Sequence, residues 1–129
     1  MLAIDTNLIV RFLVNDHPTQ SAKARALIGG EDVYVSSTVI LETAWVLRSV
    51  YGFSDAQSGA ALATFAGLPR VTLEDPAAVA RACDWAKQGV DLADALHLAK
   101  ADGCEAFVSF DRKFAKAANL VSTVKVRAP

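Results

Sequence analysis

Apolar and polar residues fall in short blocks along the chain, and their spacing separates strands from helices. "LAID" predicts a short strand, followed by a helix from about Asn7 to Val14. "HPTQSAKARALIGG" places Pro18 at a helix start and Gly29-Gly30 at its stop. "VYVS" reads as a second strand entering the long helical pattern "STVILETAWVLRSVYGF", and another helix covers about Ser54 to Ala66. "RVTL" is a third strand, after which Asp75-Pro76 opens a helix running to about Lys87. "DLADALHLAKADG" is a helix with Asp91 suited to its N-cap and Gly103 to its end. "EAFVSF" is expected to be a buried strand, "DRKFAKAA" a short helix and "VKVRA" a final strand. Short apolar strands separated by helices predict a parallel sheet covered on both faces, an α/β fold. In such sheets ligands bind beyond the carboxyl ends of the strands, so the residues just after each strand matter most.

The totals bound the picture. A chain of 129 residues with 53% hydrophobic content suits one domain over residues 1–129 with a sizeable core. No repeat, linker or low-complexity stretch divides it. The net charge of −1 gives no global attraction for a polyanion, so nucleic-acid contacts must be local. The charge is uneven: from Ala106 onward stand Arg112, Lys113, Lys116, Lys125 and Arg127 against Asp111 alone, an excess of +4. Cys83 and Cys104 lack zinc-ligand spacing and are expected to be buried thiols. The start of the chain has neither the basic residues nor the cleavage site of a signal peptide, and no apolar run reaches the roughly 20 residues of a membrane span. A cytoplasmic location is expected.

Four carboxylates stand out together more than singly. Asp5 follows the first strand, and alone it would serve equally as an N-cap. Glu42 lies mid-helix, sharing its face with Thr38, Val39, Trp45 and Val46. Burial in that apolar setting would disfavour its charge, so it calls for a partner, either a cation or Arg11. Asp94 lies one turn into its helix with Asp91 on the same face, where both acids favour the helix dipole. Asp111 follows "AFVSF" and precedes a helix, which also suits a cap. In combination, two acids follow strands and two occupy the first turns of helices that could point to the same edge.

Converging carboxylates repel and partly protonate unless a multivalent cation holds them charged. An oxygen-only donor set suits Mg²⁺ or Mn²⁺, which retain waters and take phosphate oxygens as further ligands. The expected chemistry is metal-assisted phosphodiester hydrolysis by an activated water. No histidine is needed for it. His17 is expected on the surface, and His97 at a helix interface rather than in the site. The chain has no Gly-rich phosphate loop and no nucleophile elbow.

Four blocks in order, "IDTNLIVRFL", "SSTVILETAWVLRSVYGF", "DLADALHLAKADG" and "FVSFDRKF", resemble the PIN-domain family, more narrowly the VapC-type toxins of type II (VapBC) toxin–antitoxin systems. The resemblance covers essentially the whole chain. It implies a three-layer α/β/α sandwich with a central, mainly parallel twisted sheet. It also implies a homodimeric, Mg²⁺-dependent endoribonuclease held inactive by a cognate VapB-type antitoxin, with Mn²⁺ as the other candidate ion. Asp5, Glu42 and Asp94 match the family's main acids and Asp111 its fourth, more variable one; these four are the expected catalytic and metal-holding residues. Asn7 and Ser109 match polar positions that orient acids or water, although Ser109 stands where many relatives carry threonine. Arg11 matches a frequent arginine, and Asp91 is a possible auxiliary acid. Antitoxins of this type lay a C-terminal segment over apolar grooves and make the promoter-DNA contacts of the complex. Phe12, Leu13, Leu27 and the stretch from Trp45 through Phe65 offer candidate surface here, although most of these residues are needed in the core.

Two other protein classes also gather acids at the end of the first strand. A haloacid-dehalogenase-type phosphatase needs a second aspartate where Asn7 stands, and a response-regulator receiver needs an adjacent acidic pair there. The alternative from another class is a catalytically weak PIN-fold module that binds RNA or regulates through a partner.

Overall fold

The computed structural model describes all residues from Met1 to Pro129. In chain order the elements are β1 (Leu2–Ala3), α1 (Thr6–Val14), α2 (Pro18–Gly30), β2 (Val33–Val35), α3 (Ser37–Ser49), α4 (Asp55–Ala66), β3 (Val71–Leu73), α5 (Pro76–Lys87), α6 (Leu92–Ala99), β4 (Phe107–Val108), α7 (Arg112–Asn119) and β5 (Val126–Arg127). Strands and helices follow the order the hydrophobic pattern predicts. All strand pairings are parallel: β1 pairs with β2, β2 with β3, and β4 with β5. The ladder is in two pieces, a three-stranded and a two-stranded sheet.

Local chemistry fixes most helix starts. Ser36 caps α3, Ser54 caps α4 through a reciprocal box with Gln57, and Asp75 caps α5 with Pro76 in its first turn. His17, exposed as expected, caps α2 by accepting the Gln20 N–H at its Nδ1. The helix from Asp91 is shorter than its pattern: α6 ends at Ala99, and the chain turns until Gly103 takes a left-handed φ of +86°.

A contiguous apolar core runs through Ile4, Ile9, Val33, Val35, Ile40, Leu47, Leu62, Phe65, Leu98 and Val126. Helix α3 packs on α1, α4 and α6, while α5 lies against α4 and α6, an α/β sandwich with the strands between helices. Phe12 meets the buried Phe65 edge-on at 6.0 Å, and Leu13 and Leu27 are half-buried against the same core. Trp45 does not join them and is 59% exposed.

Two expectations fail here. "EAFVSF" is not a buried strand: only Phe107–Val108 is extended, Val108 is 50% exposed and Phe110 87%. An apolar run is buried on two faces only where other layers of the fold cover both. β4 has a single neighbour, β5, and packs one side inward through Phe107, edge-on to Phe114 at 5.7 Å. The thiols also differ, since Cys83 is buried but Cys104 lies exposed in the turns after α6. No helix is long and apolar enough to cross a membrane.

Candidate active site

The end of β1 delivers buried Ile4 into the core and leaves Asp5 exposed at the start of α1. Asp5 caps that helix, its Oδ1 accepting the Thr6 N–H at 2.7 Å. Buried Thr6 turns its hydroxyl toward α3 and donates to Glu42 Oε1. Asp5, Asn7, Arg11 and Glu42 line an open depression of about 290 Å³ together with Val46, Val50 and Tyr51.

Glu42 is exposed rather than desolvated, and its partner is Thr6 rather than Arg11. The apolar neighbours on its helix face do not enclose it: Val39 and Val46 are only half-buried and Trp45 is open. Arg11 instead reaches Gln20 at 2.8 Å, the Tyr51 hydroxyl at 3.1 Å and Asp16 at 3.3 Å.

A second depression of about 100 Å³ holds Asp91, Asp94 and Asp111 with Arg48 and Lys113. Asp91 caps α6 by accepting the Asp94 N–H at 3.0 Å. Asp111 caps α7 by accepting the Phe114 N–H at 3.0 Å, while its own N–H donates to Ser109 Oγ at 3.0 Å. Thus Ser109 positions the turn that carries Asp111. Asp94 is half-buried and its carboxylate receives no hydrogen bond from the protein; burial, then the charges of Asp91 and Asp111, push its carboxyl above the usual range.

Arg48, near the end of α3, was not singled out by the sequence pattern. Its guanidinium bonds Asp91 and lies 3.4 Å from Asp55, so a built-in cation stands at the acidic depression. The available signal was its place six residues beyond Glu42 on the same helix. His97 is exposed, not packed at a helix interface, and lines a separate small cavity with Ser37, Thr38 and Lys100.

The sequence-predicted acids therefore gather as two pairs, Asp5 with Glu42 and Asp94 with Asp111. No three of the acids come within joint reach of a single ion. Each has found protein donors where they exist: a helix N-terminus for Asp5 and Asp111, a hydroxyl for Glu42.

Residues 2–120 match the family model for the PIN domain. The chain belongs to the PIN-domain family. Comparison with curated proteins and with solved structures gave no match. PIN domains are commonly nucleases and typically use divalent metals, which gives this one a nuclease-type function. The residues present fit such an ion by chemistry: carboxylates only, with Asp94 half-buried, without a donor and beside two further acids.

Proposed function

We propose that this PIN domain is a VapC-type toxin, an Mg²⁺-dependent endoribonuclease inhibited by a cognate VapB-type antitoxin. The observation that carries the reading is Asp94, a half-buried carboxylate with no protein donor that faces Asp91 and Asp111. Burial and the two neighbouring acids disfavour its charged form, and a bound cation would favour it.

Asp5, Glu42, Asp94 and Asp111 would hold one or two Mg²⁺ ions, with Mn²⁺ as a substitute. When bound, a divalent ion neutralises phosphate charge and supplies an acidified water for phosphodiester hydrolysis. The chain's own residues orient the reaction. Thr6 fixes the Glu42 carboxylate, and the helix caps fix Asp5 and Asp111 with one oxygen each. Asn7 stands beside Asp5 on the wall of the same depression. Exposed Arg112, Lys113 and Lys116 draw the RNA backbone toward a mouth that would otherwise repel it. The partners follow from the family resemblance: a homodimer, a heteromeric complex with the antitoxin, RNA as substrate, and promoter DNA only through the antitoxin. A cytoplasmic location belongs to the same reading.

One observation favours the alternative, a weakly catalytic RNA-binding or regulatory module. The acids form two pairs, and Arg48 already neutralises Asp91. The deciding experiment incubates total RNA with antitoxin-free protein and Mg²⁺, with EDTA, and with Glu42→Gln in parallel. Metal-dependent cuts leaving 5′-phosphate and 3′-hydroxyl ends, absent in the variant, are expected. RNA binding without cleavage by a folded wild type would favour the module instead.

A further inference from the structure

Phe110 is 87% exposed, the most exposed of the large apolar side chains. It sits in the turn between β4 and α7, directly before Asp111. That turn is held on both sides. The Asp111 N–H donates to Ser109 Oγ, and Asp111 in turn accepts the Phe114 N–H. Phe107 and Phe114, three residues before and four after Phe110, pack edge-on at 5.7 Å, so two nearby rings are used for packing while the third is turned outward.

The surroundings favour a nucleic-acid base as its occupant. Arg112 and Lys113 follow immediately and Lys116 lies one turn on, all exposed, while Asp111 and Lys113 line the acidic depression. A protein-facing hot spot is normally a well-packed, desolvated pocket ringed by contacts that exclude water. Here the chain neighbours of Phe110 are Ser109 and Asp111, and the apolar companion on its strand face is Val108. Aromatic rings set among basic side chains are the usual platform for single-stranded nucleic acid, the cations tracking phosphates and the ring taking a base.

Resting on the nuclease reading above, we propose that Phe110 is a stacking platform for one unpaired nucleobase of the RNA, next to the phosphate presented to Asp111 and Asp94. Phe110 is a positioning residue that selects single-stranded or looped substrate. A paired base in an A-form helix is stacked on its neighbours and cannot cover the ring.

The test uses full-length protein carrying Asp94→Asn, so that RNA is bound without being cut. Anisotropy of a 5′-labelled single-stranded RNA is measured with this protein and with Phe110→Ala or Phe110→Trp added. The same RNA is then used with one abasic nucleotide moved stepwise along it. Phe110→Ala should weaken binding about 5- to 150-fold, with Phe110→Trp retaining it. One abasic position should cost Asp94→Asn the same factor and cost the Phe110→Ala form nothing further. Binding by Phe110→Ala within twofold of its parent overturns the platform, as does a loss that adds to every abasic position alike. Conversion of a dimer to a monomer by Phe110→Ala would mean that the ring holds a second copy of the chain, and overturns it too. Failure of this inference alone leaves metal-dependent cleavage by wild type intact, whereas wild type that neither binds nor cuts RNA removes the nuclease reading and the platform together.

Discussion

The hydroxyl of Thr6 donates to the Glu42 carboxylate, joining the first residue of α1 to the second turn of α3 across 36 positions of sequence. Thr6 is buried and Glu42 exposed, so the hydroxyl is a fixed donor and the carboxylate the group being aimed. Thr6→Val keeps the shape and removes the donor. Glu42 can then turn to water, which limits the stability loss to about 0.5–1.5 kcal/mol. RNA cleavage should fall about tenfold, the equivalent of ~1.4 kcal/mol of lost orientation. Thr6→Ser should stay near wild type. Urea melts and single-turnover cleavage check both halves, and a fully active Thr6→Val would remove Thr6 from the site.

Asp94 carries charge at a cost. Its carboxyl is pushed above 3.8 by burial and by Asp91 and Asp111, so the folded protein binds that proton more tightly than the unfolded chain. The sign follows: ionised Asp94 weakens the fold at neutral pH, and the penalty fades as pH falls toward 3.8. Asp94→Asn should therefore abolish cleavage while raising stability in EDTA by about 0.5 kcal/mol, kept small by solvent screening, or about 2 °C in Tm. The gap between variant and wild type should close on acidification. Mg²⁺ should stabilise wild type more than the variant, since a state gains only in proportion to the ion it binds. Thermal melts with and without Mg²⁺ at neutral and acid pH decide it; a variant less stable than wild type in EDTA would contradict the repulsion.

Legibility in the sequence tracked how local each feature is. Asp75-Pro76, Ser54 with Gln57, and Asp91 announce helix starts because a cap and its target lie within three residues. The same locality placed Asp5 and Asp111 at strand ends. What failed needed knowledge of a partner remote in sequence. "EAFVSF" could not reveal that β4 has one neighbour, and the face of Glu42 could not reveal that Trp45 is open and Val39 and Val46 only half-buried. Nor could a pattern pair Arg48 with Asp91, 43 positions away. The acids were legible as a set, but their division into two pairs is a matter of side-chain partners.

Gly59 tests the packing that carries the sheet's helical cover. It is buried in α4, and a Cβ there would stand 2.8 Å from the Cys83 carbonyl oxygen and 3.0 Å from the Ala86 Cβ on α5. The carbonyl is helix backbone and has no side-chain freedom with which to yield, so the two helices must separate. Gly59→Ala gains about 1 kcal/mol of helix propensity, but overpacking at a backbone contact costs about 1–3 kcal/mol. A net loss is expected, read as a lower urea midpoint at unchanged slope. A higher midpoint would show that α4 and α5 have room to spare.

The two thiols should differ as their surroundings do. Cys83 is 1% exposed and burial pushes its thiol up to about 11, against an ordinary value of 9.0, despite Lys87 nearby. Cys104 is exposed. At neutral pH the native protein should release one rapid equivalent of thiol to an aromatic disulfide reagent, from Cys104, and the second only on unfolding. Cys104→Ser should abolish the rapid phase. Burial has a second consequence, because a raised folded value means that the thiol's contribution holds below pH 9 and is lost as pH climbs through the folded value. Between neutral pH and about pH 11, wild type should lose up to about 2–3 kcal/mol relative to Cys83→Ala. Parallel denaturant melts of the two proteins isolate that difference from the tyrosines and lysines that titrate in both. Parallel curves with a constant gap would mean that the α5 helix opens enough to solvate the thiolate.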